Sequence, residues 1–345
     1  NALQTNNLPE PTIKNGKDHF RALTGTGANI LAIAQGTNTS GTNWNDDVDT
    51  GFTNGLWWIK DRDNSNQHQL VDSVRGSNSA LNCPNLTVAT YSAPSGNSVA
   101  WCWKAGDSTV SNTDGTITAD VCANTDAGFS IIDWTGTDTA GTVGHDLTEA
   151  PEFIINKNSV NATSGAFYAW HTGIPATQYL APGSTAAAAT SSAVWNNTAP
   201  TNSVISLGTA GNGSDGPGRI MYAWHSVEGY SKFGSYTGNN STDGPFVYLG
   251  FRPAFILFKS TNQASNWFIY DSTREENNPM QQIIMTNTTG SETPADTGSN
   301  GVDFLSNGFK LRSTNGSINT AHNYIYMAFA ENPFGGENAA PATAR

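Results

Sequence analysis

Leu56-Trp57-Trp58-Ile59-Lys60, an apolar run closed by a lysine, returns as Phe153-Ile154-Ile155-Asn156-Lys157, with Asn156 in its fourth place, and again as Phe255-Ile256-Leu257-Phe258-Lys259. Short runs rich in β-branched and aromatic residues, bounded by turn residues, predict buried strands rather than helices. Each run has companions. An aromatic residue followed by a Thr-Gly pair opens each unit ahead of its run (Phe20 with Thr24-Gly25, Phe129 with Thr135-Gly136, Phe233 with Thr237-Gly238). A short aromatic strand closes each unit, at Trp101-Cys102-Trp103, Tyr222-Ala223-Trp224 and Met327-Ala328-Phe329. The step from Lys60 to Asp72 equals that from Lys259 to Asp271, and both aspartates open Asp-Ser-x-Arg, which ends at Arg75 and Arg274. The middle copy departs, with His171 after Tyr168-Ala169-Trp170. A period of about a hundred residues is domain-sized, because solenoid repeats run about 20–50 residues.

Working outward from these strings, the chain divides into an N-terminal arm (1–19), a first β unit (20–106), a connector (107–128), a second unit (129–228), a third (229–334) and a tail (335–345). The expected fold is all-β with very little helix: tandem β-sandwich repeats, jelly-roll or concanavalin-like, each closing its aromatic faces into a core of its own. The alanine-rich stretch Thr185-Ala186-Ala187-Ala188-Ala189 is too short to be a helix without tertiary support. Free sheet edges in such units predict a homo-oligomer.

Composition narrows the partners. Charged residues are 13% of the 345, and the formal net charge is −12. Nucleic-acid binding needs clustered Lys and Arg, which an acidic chain of this kind lacks. No stretch approaches the roughly 20 apolar residues of a membrane-crossing helix, and the polar start Asn1-Ala2-Leu3-Gln4 is unlike a signal peptide. Cys83, Cys102 and Cys122 have neither the number nor the spacing of a disulfide framework or a zinc site.

Several residues are candidates for a site. Asp46, Asp47 and Asp49 offer oxygens to Ca²⁺, but the glycine falls one place early for an EF-hand loop and the closing glutamate is missing, so the expectation is a solvated turn and no cofactor. Trp44, Trp134, Trp170, Trp195 and Trp267 flank polar turns and are candidates to stack on sugar rings, against the competing expectation of core packing. The repeated Asp-Ser-x-Arg has no nucleophile elbow beside it and no histidine at a common spacing. Its repetition assigns Lys60, Asp72, Arg75, Lys157, Lys259, Asp271 and Arg274 to the architecture. For a glycan-cleaving carboxylate pair the candidates are Glu149, Glu152, Glu228, Glu275 and Glu276.

Trp57-Trp58-Ile59-Lys60, Asp72-Ser73-Val74-Arg75-Gly76, Ala100-Trp101-Cys102-Trp103-Lys104-Ala105-Gly106, the run from Val227 to Gly238, Gly250-Phe251-Arg252-Pro253-Ala254-Phe255 and the run from Asp303 to Lys310 together resemble a family of repeated proteins of marine tailed bacteriophages, described as tail-fibre-like or virion structural proteins and prominent in cyanophages. The resemblance spans roughly Phe20 to Phe334. It implies a non-enzymatic component of a phage particle, in the tail or fibre, assembled in the host cytoplasm and released to the outside. The implied partners are other virion proteins and a host-surface glycan. The alternatives are a lectin-like carbohydrate-binding module, a capsid decoration protein and a glycan depolymerase spike.

Overall fold

The computed structural model describes residues 12–26, 31, 52–76, 79–84, 87–160, 167–213, 218–294 and 301–330. The chain is all-β. The first unit contributes β1 (Phe20–Thr26), β2 (Gly55–Asp61), β3 (His68–Asp72), β4 (Ser79–Cys83), β5 (Val88–Thr90) and β6 (Asn97–Lys104). There follow β7 (Val110–Asn112), β8 (Ala119–Asn124), β9 (Phe129–Thr135), β10 (Gly141–Gly144), β11 (Phe153–Asn158), β12 (Phe167–His171), β13 (Gln178–Tyr179), β14 (Ala189–Thr190), one helical turn α1 (Ser192–Trp195), β15 (Val204–Leu207) and β16 (Gly218–Trp224). The last unit holds β17 (Ser231–Thr237), β18 (Phe246–Tyr248), β19 (Pro253–Ser260), β20 (Phe268–Asp271), β21 (Gln282–Met285), β22 (Thr293–Pro294), β23 (Gly301–Leu305), β24 (Gly308–Arg312) and β25 (Asn323–Ala330).

Two of the three large sheets have one topology. The first runs β1-β6-β2-β3-β4-β5 and the third runs β17-β25-β19-β20-β21-β22: an antiparallel meander whose last strand returns between the first two. The second keeps the same four central strands, β9-β16-β11-β12, but continues past β9 into β8 and β7 instead of past β12. Residues 107–128, expected to be a connector, are therefore part of the second sheet. Val121 and Ile132 are paired across β8 and β9, and their strand character is masked in sequence by the surrounding Thr and Asp.

Register confirms that the lysine-ended runs are equivalent. Leu56, Trp58 and Lys60 face Trp103, Trp101 and Val99. Phe153, Ile155 and Lys157 face Trp224, Tyr222 and Ile220, and Phe255, Leu257 and Lys259 face Phe329, Met327 and Ile325. The opening aromatics are less regular. Phe20 lies opposite Trp103 and Phe129 opposite Trp224, but Ser231 takes that place against Phe329, so that Phe233 sits two residues further on.

The three inner faces do not close separately, which corrects the expectation of one core per unit. Trp103 of the first unit packs edge-on against Trp224 of the second (5.8 Å between ring centroids) and against Phe255 and Phe329 of the third (5.7 Å each). Phe20 stacks on Phe329 at 5.1 Å, and Phe153 and Phe233 stack at 6.3 Å. One apolar cluster runs through all three units. The physical reason is that each sheet is apolar on both sides, as the unbroken burial of β2, β11 and β19 shows, and one face must find a partner outside its own unit. The outward faces are covered locally. Over the third sheet lies the three-stranded sheet β18-β24-β23, whose Val247, Phe309 and Phe304 meet Ile256, Phe258 and Tyr270 in a second cluster. Over the first, Leu23, Leu31 and Phe52 meet Trp57, Ile59 and Cys102.

Where the first and third units continue from β3 or β20 into a second hairpin, the middle unit sends out residues 172–203. Its loop touches both neighbours: Pro182 O accepts from Thr286 Oγ1 at 3.1 Å and faces Cys83 Sγ at 3.8 Å, and Trp267 Nε1 donates to Ala181 O and Ser184 O at 3.2 Å. The stretch around Thr185–Ala189 is not helical and pairs with the third unit through Ala188 N to Thr261 O.

A shared core makes the units inseparable in folding. Trp103→Ala removes a ring touching all three units, through Phe20, Trp224 and Phe255, and is expected to cost about 3–5 kcal/mol. Denaturant unfolding, followed by Trp fluorescence and circular dichroism, should keep a single coincident transition in both proteins; a separate transition for one unit, or an independently folded 129–228 fragment, would contradict the shared core.

Candidate functional site

The repeated Asp-Ser-x-Arg forms the corner after β3 and after β20. Asp72 Oδ1 accepts from the backbone N–H groups of Val74 (3.1 Å) and Arg75 (2.8 Å), and its Oδ2 from Arg75 Nε at 2.6 Å. Asp271 does the same with Arg274, through the backbone N–H at 2.9 Å and Nε at 2.5 Å. Each arginine also closes back on its own strand, to Leu70 O or Ile269 O. Ser73 Oγ accepts from Gly55 N at 3.1 Å, a turn contact rather than a nucleophile's setting.

Each aspartate also takes a donor from the next unit. Tyr222 O–H of the second unit donates to Asp72 Oδ2 at 2.7 Å, and Trp101 Nε1 of the first donates to Asp271 Oδ2 at 2.9 Å. Tyr222, Trp101 and Met327 are register equivalents, so the third junction has a thioether where the others have a donor. There the whole set changes together: His171 replaces the aspartate and Ile174 stands where arginine stands in the other copies. His171 accepts from Gly173 N at 2.8 Å and pairs with Tyr326 O at 3.0 Å, which leaves no buried charge needing a partner. At the junction of the first and third units, Glu292 adds a bridge, accepting from Arg274 Nη1 and Arg62 Nη2 at 2.6 Å each.

The three lysines are fully buried on the inner faces. Lys60 donates to Asp61 O and Asn64 O, and Lys259 to Ser265 O, Ser265 Oγ and Thr185 O. Lys157 lies 5.1 Å over the Phe167 ring with no hydrogen-bond partner among the described residues. Burial lowers all three to about 8. The cysteines are free and buried, and burial pushes the Cys83 thiol up to about 12. All these groups are engaged in holding the fold together.

The tryptophan candidates turn out differently from sugar platforms. Trp134, Trp170, Trp195 and Trp267 are buried, because outer layers invisible to local pattern cover them. Trp134 Nε1 donates to Asn212 Oδ1 at 2.9 Å. Trp44 and the calcium candidates Asp46, Asp47 and Asp49 lie outside the described residues. Of the glutamates, Glu152 accepts from Ser226 N at 2.6 Å and Glu275 from Gln281 N and Gln282 N, so both secure backbone.

Among the described residues, the aromatic rings most open to solvent are Phe246, 46% exposed, and Tyr248, 60% exposed. They are alternate residues of β18, so both lie on one face, while Val247 between them points into the second core cluster. Opposite them on β24 stand Lys310 and Gly308. Lys310 pairs with Asp243 at 2.8 Å, and Arg312 with Asp303 at 2.6 Å. Lys232 Nζ sits 5.4 Å over the Tyr248 ring and donates to Tyr248 O at 3.1 Å. This aromatic, charge-rimmed face is the candidate binding surface. Its signal in sequence is the alternation Phe246-Val247-Tyr248, which contains no tryptophan.

A different polar cluster carries the titration behaviour. Asp133 lies across from Asp120 in a groove shared with Arg75, Ser79 and Ser159. Burial, then the charge of Asp72 and of Asp120, pushes the Asp133 carboxyl up to about 6. A raised carboxyl stabilises the fold below its unfolded value near 4, and that contribution is lost as pH rises through about 6. Asp133→Asn should therefore raise the thermal midpoint at pH 7–8 and leave it nearly unchanged at pH 4; a lowered midpoint at neutral pH would refute the assignment. The corner logic has its own test. His171→Asp alone buries an unpaired carboxylate and should cost about 3–5 kcal/mol. Adding Ile174→Arg and Met327→Tyr should restore much of that loss in denaturant titrations, whereas an additive series would show that the corners do not act as units.

Comparison with known proteins gives one family. The chain belongs to the family defined by a domain of unknown function, DUF7483, whose model matches residues 86–333 and so takes in β5, β6 and the whole of the second and third sheets. No curated protein and no solved structure matches.

Proposed function

We propose that this member of the DUF7483 family is a non-enzymatic structural protein of a phage particle, a tail or tail-fibre component that contributes to host attachment. The observation that carries the reading is the division of labour between repeated and unrepeated residues. The motifs that recur, Asp72/Arg75, Asp271/Arg274 and the three lysines, are consumed by packing and by junctions between units. The exposed aromatic pair Phe246 and Tyr248 is not part of the repeat and is turned outward on a rigid sheet. A scaffold built by repetition, with binding chemistry on one outward face, suits display rather than turnover. The resemblance to virion proteins of marine phages supplies the particle, and the free sheet edges support a homo-oligomer.

Immunogold electron microscopy of intact particles of the encoding phage, with antibody raised against the recombinant chain, is the test. Label on the tail or fibres is expected. Label on the head would make the chain a capsid decoration protein, and particles without label would overturn the virion assignment.

A further inference from the structure

Among the described residues, Phe246 and Tyr248 are the large exposed aromatic side chains, and they stand together. Two residues apart on a strand, their Cα atoms are about 7 Å apart on one face. They are held there firmly. Val247 is tied into the core beneath, and Gly308 opposite admits no side chain, since a Cβ would come 2.1 Å from Val247 O and 3.1 Å from Phe246 Cε2. Tyr248 is braced on one ring face by the Lys232 ammonium, and its tip lies beside Gly250, which turns the chain with a φ of +88°. Platforms of this kind meet the C–H faces of sugar rings with little ordering of their own, because their side chains are already fixed.

Charge selects the ligand further. The chain as a whole is acidic, at −12, yet this face gathers Lys232, Lys310 and Arg312. Lys310 and Arg312 are matched by Asp243 and Asp303, whereas Lys232 has no carboxylate partner among the described residues. The uncompensated positive charge therefore sits beside the exposed ring, with a rim of paired charges able to hydrogen-bond hydroxyls. We infer that the β18 face binds an anionic, carboxylate-bearing polysaccharide, with Tyr248 and Phe246 stacking on sugar rings and Lys232 receiving the carboxylate. This rests on the attachment reading above and names the ligand class of the same face.

Isothermal titration calorimetry of the full chain with alginate oligosaccharides, against neutral dextran oligosaccharides of equal length, reads this directly. Alginate should bind, with dextran weaker by about tenfold or more. Tyr248→Ala should weaken alginate binding by about tenfold or more, Tyr248→Phe should preserve it, and Lys232→Gln should remove the preference for alginate over dextran. Unchanged thermal midpoints certify that these surface variants fold. No binding of alginate, or binding indifferent to Tyr248→Ala, overturns the inference. So does a self-association, seen by sedimentation velocity, that Tyr248→Ala abolishes, which would give the face to a second copy of the chain. Particle labelling with no alginate binding removes this inference alone, whereas alginate binding without particle labelling removes the virion assignment alone.

Discussion

Trp103 meets Trp224 on one side and Phe255 with Phe329 on the other, and every other relationship in the molecule follows from that convergence. A sheet apolar on both faces cannot stand alone in water, and three such sheets bury their second faces most economically against one another. Once the rings converge, the ends of the inner strands are brought close enough for side chains of one unit to reach the corners of the next. The hydrogen bonds from Tyr222 to Asp72 and from Trp101 to Asp271 are thus consequences of the core, and they fix the rotation of each sheet about it. Burial supplies the drive and the polar corners supply direction, since an unsatisfied buried carboxylate would cost more than the pair contributes.

Charge placement within this framework is uneven. Lys60 and Lys259 satisfy their ammonium groups with carbonyls, and Lys157 lies beside an aromatic ring. Their lowered proton affinity is the mark of desolvation that the carbonyls only partly offset. At the junction where Met327 cannot donate, the chain has dispensed with the ion pair altogether and uses a neutral His171, held well below its usual value at about 4 by burial. The two solutions show that the junction needs shape complementarity first and charge only where a donor exists to meet it.

Much of this was legible in the sequence. The three lysine-ended runs, their closing aromatics and the Asp-Ser-x-Arg corners were visible because strand register preserves spacing, and the all-β character followed from them. The sharing of the core was not visible, since which face of a two-sided apolar strand meets which neighbour is decided by contacts hundreds of residues apart. For the same reason Trp134, Trp170, Trp195 and Trp267 could not be told from exposed rings: each borders a polar turn, and the covering layer comes from elsewhere in the chain. Residues 107–128 read as a connector in sequence because their strands are short and half exposed. Phe246 and Tyr248 carry little signal in sequence, because an edge strand of three residues leaves almost no pattern.

The contact between Phe20 and Phe329 has a topological consequence. The first and last strands of the described chain, β1 and β25, lie against the same hub, and Ala330 N donates to Tyr230 O at the point where the second unit passes to the third. The order of the units along the polypeptide is therefore not what holds them in a ring: the closure between last and first is made by contacts across space, side-chain and backbone, as the others are. A backbone opened at the Val227–Ser231 passage and joined instead from β25 to β1 would trace the same three sheets in a rotated order. Linear sequence and circular architecture are separable here, which is what duplication of a single ancestral unit would leave behind.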